Sequence, residues 1–124
     1  MKTYDPRSGY ILDVNGSKIV KAKEVKYILN MYSVEGTDGL MYDCLGEVGT
    51  IIAETVVLFK GEYTLIVCKN IIAVDLKCET LLTEECTIGN LTLTGADSKI
   101  TKGGILGSVI GDIKLVNVKI RNKS

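Results

Sequence analysis

The sequence predicts a mostly-β fold: a short parallel β-helix, or solenoid, with an N-terminal hairpin and helix cap. Three observations carry this. Beyond residue 64 the chain is dominated by Val, Ile, Leu and Thr in short alternating runs, the residue types and the period of strands. Glycines at 89, 95, 103, 104, 107 and 111 punctuate those runs. Apolar rows also recur at a nearly constant spacing, which is how a stack of similar coils registers in a sequence. An antiparallel β-sandwich or barrel is the alternative that the same short strands and turns support.

In chain order, Gly9 to Val14 reads as a strand leading into Asn15-Gly16, a strong two-residue hairpin signal when apolar residues alternate around it. Ile11, Val14, Ile19 and Val20 are the candidate hairpin residues. Lys21 to Tyr32 places Val25, Ile28, Leu29 and Tyr32 at helical spacing with charges mostly opposite, so a short helix is expected there, although the same residues could continue as strand. Glu35 to Gly39 is a turn by composition. All six tyrosines and the single phenylalanine lie between Tyr4 and Tyr63. The chain is therefore expected to be a single domain over 1–124, with an irregular cap-like segment at 1–46 and a repeat-like β region at 48–122.

The repeat is read from rows beginning at Ile71, Ile88 and Ile105, each seventeen residues after the last. The row at Ile51 begins twenty residues before Ile71 and shares its Ile-Ile-Ala opening. A second echo, Ile88-Gly-Asn-Leu-Thr-Leu against Ile110-Gly-Asp-Ile-Lys-Leu, has a spacing of twenty-two, so two registers compete. One coil cannot bury its inward residues alone, whereas stacked coils make a continuous apolar column. Gly89-Asn90 and Gly103-Gly104 sit where corners would fall.

Composition narrows function mainly by exclusion. The 124 residues include 15 basic and 15 acidic ones and no histidine, which removes the commonest general base and imidazole metal ligand and argues against a nucleic-acid binder. The N-terminus lacks the apolar core of a signal peptide, and the stretch Thr50–Phe59 is broken by Glu54 and too short to span a bilayer, so a cytoplasmic protein without a transmembrane segment is expected. Cysteines at 44, 68, 78 and 86 form no CxxC pair and read as small buried thiols rather than a zinc site.

The runs Ile88-Gly-Asn-Leu-Thr-Leu-Thr-Gly and Val109-Ile-Gly-Asp-Ile-Lys-Leu, with Lys102-Gly-Gly-Ile-Leu-Gly before the second, resemble the glycine-punctuated coils of bactofilins, the polymer-forming β-helix proteins of bacteria. They are also similar to the β-helical region of FapA-type polymer-binding proteins. The resemblance spans at most residues 48–122. It implies a right-handed parallel β-helix of seventeen to eighteen residues per coil that assembles end to end and has no catalytic residues. The aromatic-rich 1–46 departs from the family's short disordered tail and is expected to cap the first coil.

The search for chemistry yields little. Glu84-Glu85 is the one adjacent acidic pair, and neighbours in a strand point to opposite faces. Cys78 and Cys86 lie near Glu79, Glu84 and Glu85, surroundings that raise a thiol's pKa rather than activate it. The run Gly103-Gly104-Ile-Leu-Gly107 lacks the Gly-Lys-Ser/Thr ending of a phosphate loop. Charge is more informative: Asp75 to Asp97 carries five acidic residues and one basic, and Lys99 to Lys123 six basic and one acidic. No enzyme, cofactor or metal is expected. The chain is expected to act as a structural, self-assembling scaffold, or alternatively as a small partner-binding or inhibitory protein of phage or mobile-element type using a tyrosine-rich surface. The expected partner is a second copy or another protein. An uncapped last coil would expose unpaired backbone groups, so the candidate oligomer interface is Lys114, Val116, Val118, Lys119, Ile120 and Arg121, alternating apolar and basic residues near the C-terminal end.

Overall fold

Where buried and exposed residues alternate strictly along a chain, a flat strand results; here the alternation slips by one at regular intervals. The computed structural model describes residues 2–44, 48–95, 98–100, 113–115 and 120–122. Between Ile51 and Leu93 the buried side chains stand at 51, 56, 58, 63, 66, 68, 71, 73, 76, 78, 81, 83, 86, 88, 91 and 93. They recur at steps of two and three, with Ala53 and Gly61 standing in the two gaps. Each five-residue unit thus points two residues inward and leaves two adjacent outward residues at its end, which bends the strand.

Three such sides close a coil. The strand β7 (Thr55–Val67) pairs in parallel with β8 (Asn70–Thr83) from Thr55↔Asn70 to Val67↔Leu82, an offset of fifteen. The same offset relates β8 to β9 (Glu85–Leu93) and β6 (Thr50–Ile52) to β7. The β7–β8 ladder is interrupted at Phe59/Val74 and Thr64/Glu79, and the β8–β9 ladder at Val74/Gly89. Glu54, Lys69 and Glu84 stack at the third corner, where the Lys69 and Asn70 N–H groups donate to the Glu54 carbonyl and those of Glu84 and Glu85 to the Lys69 carbonyl. The first side is thus 55–58, 70–73 and 85–88; the second 60–63, 75–78 and 90–93; the third 65–67 and 80–82.

The result is a parallel β-solenoid of about three turns, not a barrel. Among the described residues the antiparallel pairs are confined to the cap, and the sandwich or barrel alternative falls with that. The inward columns are Val56, Leu58, Ile71, Ala73, Cys86 and Ile88 on the first side, Tyr63, Leu76, Cys78, Leu91 and Leu93 on the second, and Ile51, Ile66, Cys68, Leu81, Thr83, Ser98 and Ile100 on the third. The two polar members are satisfied: the Thr83 hydroxyl donates to the Glu85 carbonyl at 2.9 Å, and Ser98 Oγ accepts the Leu81 N–H at 3.0 Å.

The seventeen-residue register is corrected. Ile71 pairs with Cys86, and Ile88 with Ala73. Ile51 stacks on Ile66 of the third side, whereas Ile71 belongs to the first. Lumen positions are occupied by Val, Ile, Leu, Ala, Cys, Tyr, Thr or Ser according to the volume left by their neighbours, so aligning isoleucine with isoleucine finds the wrong partner. Because fifteen and seventeen differ by two, the inward and outward faces come out the same. An offset of seventeen does occur where β10 (Ser98–Ile100) lies against β8, Lys99 opposite Leu82. The echo at twenty-two is the true register of the last strands: β11 (Ile113–Leu115) pairs with Leu91–Leu93, and β12 (Ile120–Asn122) with β10. Ile105 and the glycines at 103, 104, 107 and 111 lie outside the described residues.

The cap consists of β1 (Thr3–Asp5), β2 (Tyr10–Leu12), β3 (Lys18–Ile28), β4 (Met31–Gly36) and β5 (Met41–Tyr42). The expected Asn15-Gly16 turn joins β2 to β3, with Gly16 at φ 81° and the Asp13 carboxylate accepting the Asn15 and Ser17 N–H groups at 2.9 Å. The hairpin is narrower than expected, since Val14 lies in the turn and is exposed while Ile11 is fully buried. The turn expected at Glu35–Gly39 follows β4, with Gly39 at φ 80°.

The expected helix is overturned. Residues 21–32 are most of β3, a two-residue turn at Leu29-Asn30 with φ of 54° and 60°, and the start of β4; no helix occurs among the described residues. Of the four residues whose spacing suggested a helix, Val25 is buried and Tyr32 half-buried, whereas Ile28 and Leu29 are exposed, so the spacing marks no common face. β3 then runs parallel to the first side of β7, Glu24↔Thr55 to Tyr27↔Leu58, and covers the first coil.

Candidate functional site

The predicted interface residues divide by position. Lys114 lies on β11 opposite Thr92, extending the second side, while Ile120 and Arg121 lie on β12 opposite Ser98 and Lys99, extending the third. The three thus come to the same end of the solenoid on adjacent sides, not onto one strand. Val116, Val118 and Lys119 lie outside the described residues.

At the opposite end the tyrosines build the cap. The Tyr4 hydroxyl donates to the Ile52 carbonyl at 2.9 Å and accepts the Ile52 N–H at 3.1 Å, closing the free edge of β6. Tyr27 and Tyr32 stack with centroids 4.2 Å apart, and the Tyr32 and Tyr63 hydroxyls share a hydrogen bond of 2.8 Å. Gly61 makes room for the Tyr63 ring: a Cβ there would lie 2.4 Å from Cε2. Burial drives the Tyr4 and Tyr63 phenols far above their ordinary range, and the Tyr32 bond adds to the effect at Tyr63. Tyr27, Tyr32 and Tyr42 are half-buried against the core. Most tyrosines therefore serve packing rather than a continuous exposed surface.

The thiols are equally committed to packing. Cys68, Cys78 and Cys86 point into the lumen and form no disulfide. Burial pushes the Cys68 thiol up to about 11, against the opposing effect of its bond to Thr83 Oγ1 at 3.4 Å. Burial likewise raises Cys78 to about 12, with Glu79 a lesser contributor. The direction agrees with the sequence reading, but loss of water outweighs the acidic neighbours. Such thiols are protonated, unreactive lumen fillers at neutral pH.

One surface was not anticipated. Outward on the first side, Val57 and Ile72 occupy the centre of successive rows, Phe59 and Val74 the corner beyond them, and Ile28 of β3 lies above. Together they border a shallow apolar groove of about 360 Å³, with Gly89 below Val74. The signal was available in the same pentads that place 56, 58, 71 and 73 inside: once the register is known, 57, 59, 72 and 74 are its outward positions.

Comparison with family models, with curated proteins and with solved structures finds no match for this chain. What stands of the bactofilin resemblance is the β-solenoid itself, at fifteen residues per coil over 50–93 where the resemblance implies seventeen to eighteen. Among the described residues no helix is long and apolar enough to cross a membrane.

Proposed function

We propose that this chain is a non-catalytic, self-assembling structural module, a bactofilin-like scaffold acting in the cytoplasm by binding copies of itself. The observation that carries the proposal is that the parallel stack runs from a capped first coil to strands β11 and β12, each paired on one side among the described residues. The first coil is closed by five cap strands and by the Tyr4 hydroxyl, which occupies the backbone groups of Ile52. At the other end β11 and β12 continue the parallel stack, each paired on one side among the described residues. A strand edge of that kind is a template for another edge. The nearby basic residues Lys114 and Arg121 oppose head-to-head pairing at low salt and are screened at high salt.

Size-exclusion chromatography with light scattering tests this. The expected mass exceeds the 13.5 kDa of one chain and rises with salt. Ile120→Lys is expected to reduce it, and Arg121→Glu to raise it at low salt by removing repulsion. Ile120 pairs with the buried Ser98 and Arg121 with the exposed Lys99, so Arg121→Glu is the variant chosen to read association apart from stability. A mass of one chain at every salt concentration would overturn the proposal and favour the small partner-binding protein.

A further inference from the structure

The outward apolar surface of the first side lacks a partner among the described residues. Phe59 is 62% exposed, Ile72 52%, Val74 51% and Ile28 45%. About half of four large side chains amounts to roughly 400 Å² of apolar surface in one patch, within the range of functional patches on monomers. It would form the centre of an interface of about 800 Å² per partner.

The charges bordering this patch identify what covers it. On one corner the three coils carry Glu54, Lys69 and Glu84; on the other they carry Lys60, Asp75 and Asn90. Signs alternate along the first column and between the first two coils of the second, and the columns run in opposite phase. Consider a second copy packed face to face about a two-fold axis parallel to the solenoid axis, passing through the Val57–Ile72 column. Each coil then meets the same coil of its partner with the strand direction reversed, and the first corner meets the second. Glu54 faces Lys60, Lys69 faces Asp75, and Glu84 faces the neutral Asn90. With the axis along the strands and through the middle coil instead, Lys69 would face Lys69, Asp75 would face Asp75 and Glu54 would face Glu84; with it between the first two coils, Glu54 would face Lys69 and Lys60 would face Asp75. Charge thus fits a second copy as the occupant of this face, and exchanging Lys69 and Asp75 decides between the axes, because the exchange restores the pairs only about the axis parallel to the solenoid. Among the described residues none of Glu54, Lys60, Lys69 and Asp75 has an ion pair within its own chain. Lys26, above Val57, comes near its own copy across the axis, and its charge is offset by Glu24 at 3.1 Å.

We propose that this face is the interface of a symmetric homodimer, with Val57, Phe59, Ile72 and Val74 at its centre and Glu54–Lys60 and Lys69–Asp75 pairs at both rims. It extends the reading of a self-assembling scaffold by a second, lateral contact. Both caps then lie at one end of the dimer and both β12 edges at the other, side by side.

Sedimentation equilibrium on the full chain tests it. At low salt, where the basic ends repel one another, the wild type is expected to show twice the mass of one chain at micromolar concentrations. Ile72→Glu, at an exposed position that costs the fold little, is expected to weaken association at least tenfold with an unchanged circular dichroism spectrum. Lys69→Glu and Asp75→Lys are each expected to weaken it roughly tenfold, because symmetry places the change at two rims, and the double variant is expected to restore it. Lys69 and Asp75 are about 20 Å apart along their own strand, so rescue requires a second copy. A monomeric wild type at all concentrations, an Ile72→Glu variant with the parent's mass, or a double variant as weak as the single ones would overturn the proposal. If the face fails while mass still responds to Arg121→Glu, the end-on contact stands without the lateral one.

Discussion

Replacing Gly89 by alanine tests how tightly the coils are stacked. Gly89 lies at the corner beneath Val74, between the ladder pairs Ala73↔Ile88 and Asp75↔Asn90. A Cβ there would stand 2.4 Å from the Val74 carbonyl oxygen and 3.3 Å from its carbon. Both atoms belong to the backbone of the neighbouring coil, so no side chain can swing away, and the coils must separate by about 1 Å to restore an ordinary contact. That separation weakens one or two ladder hydrogen bonds at about 1 kcal/mol each and adds overpacking strain of about 1–3 kcal/mol. The expected loss is ~3 kcal/mol. Two other glycines calibrate it. At Gly16 nothing lies within 4 Å but φ is 81°, so alanine should cost about 1–2 kcal/mol from backbone conformation alone. At Gly49 the nearest atom is Thr64 Oγ1 at 3.8 Å and φ lies outside the left-handed region, so alanine should be neutral or stabilise by up to about 1 kcal/mol. Urea unfolding followed by far-ultraviolet circular dichroism gives all three values. A Gly89→Ala midpoint equal to the parent's, or a smaller loss than that of Gly16→Ala, would refute the close approach of β9 to β8.

Four further outcomes are expected. Leu76→Ala, which empties a fully buried lumen position of the second side, should cost about 3 kcal/mol in urea unfolding, whereas Lys77→Ala, one residue on and facing water, should stay within about 0.5 kcal/mol despite its 3.7 Å pair with Glu62. Tyr4→Phe leaves the Ile52 N–H and carbonyl without their partner and should cost about 2 kcal/mol, read as a lower melting temperature. Leu29→Asn combined with Asn30→Gly supplies the residues that favour positive φ at both turn positions, and because Leu29 is 92% exposed and the change gives up only the exposed 3.3 Å bond from the Tyr27 hydroxyl to Asn30 Oδ1, a net gain of up to about 1 kcal/mol is expected in urea unfolding. Finally, the buried Cys68 and Cys78 thiols stay protonated in the folded chain at pH values where an unfolded thiol, with a pKa near 9, ionises. The unfolded state then binds fewer protons, so stability is complete below pH 9 and falls as pH rises towards 11 and beyond. Replacing both by alanine should flatten the fall in urea-unfolding stability between pH 9 and pH 10, before unfolded tyrosines ionise.

The amino-acid sequence alone determined the strand character of the chain beyond residue 64 and the Asn15-Gly16 turn, because a period of two needs only the local contrast between apolar and polar neighbours. It also contained the true offset of the last strands, since Leu91-Thr92-Leu93 and Ile113-Lys114-Leu115 keep both pattern and residue type. It did not determine the coil length. A five-residue side shows itself as a slip in alternation at 59–60, 64–65 and 69–70, and that slip acquires meaning only when the strand below presents the same slip fifteen residues later. The cap strand β3 illustrates the same division: Val25, Ile28, Leu29 and Tyr32 share a helical spacing in one dimension, and only pairing with β7 on one edge and β4 on the other makes the segment a strand and a turn with Leu29 and Asn30 in the left-handed region. Gly89 was placed at a corner by composition, but its reason is the Val74 carbonyl of the next coil rather than a positive φ. The outward face of Val57, Phe59, Ile72 and Val74 was decided by stacking as well, because residues fifteen apart become neighbours only when parallel strands lie about 4.8 Å from one another.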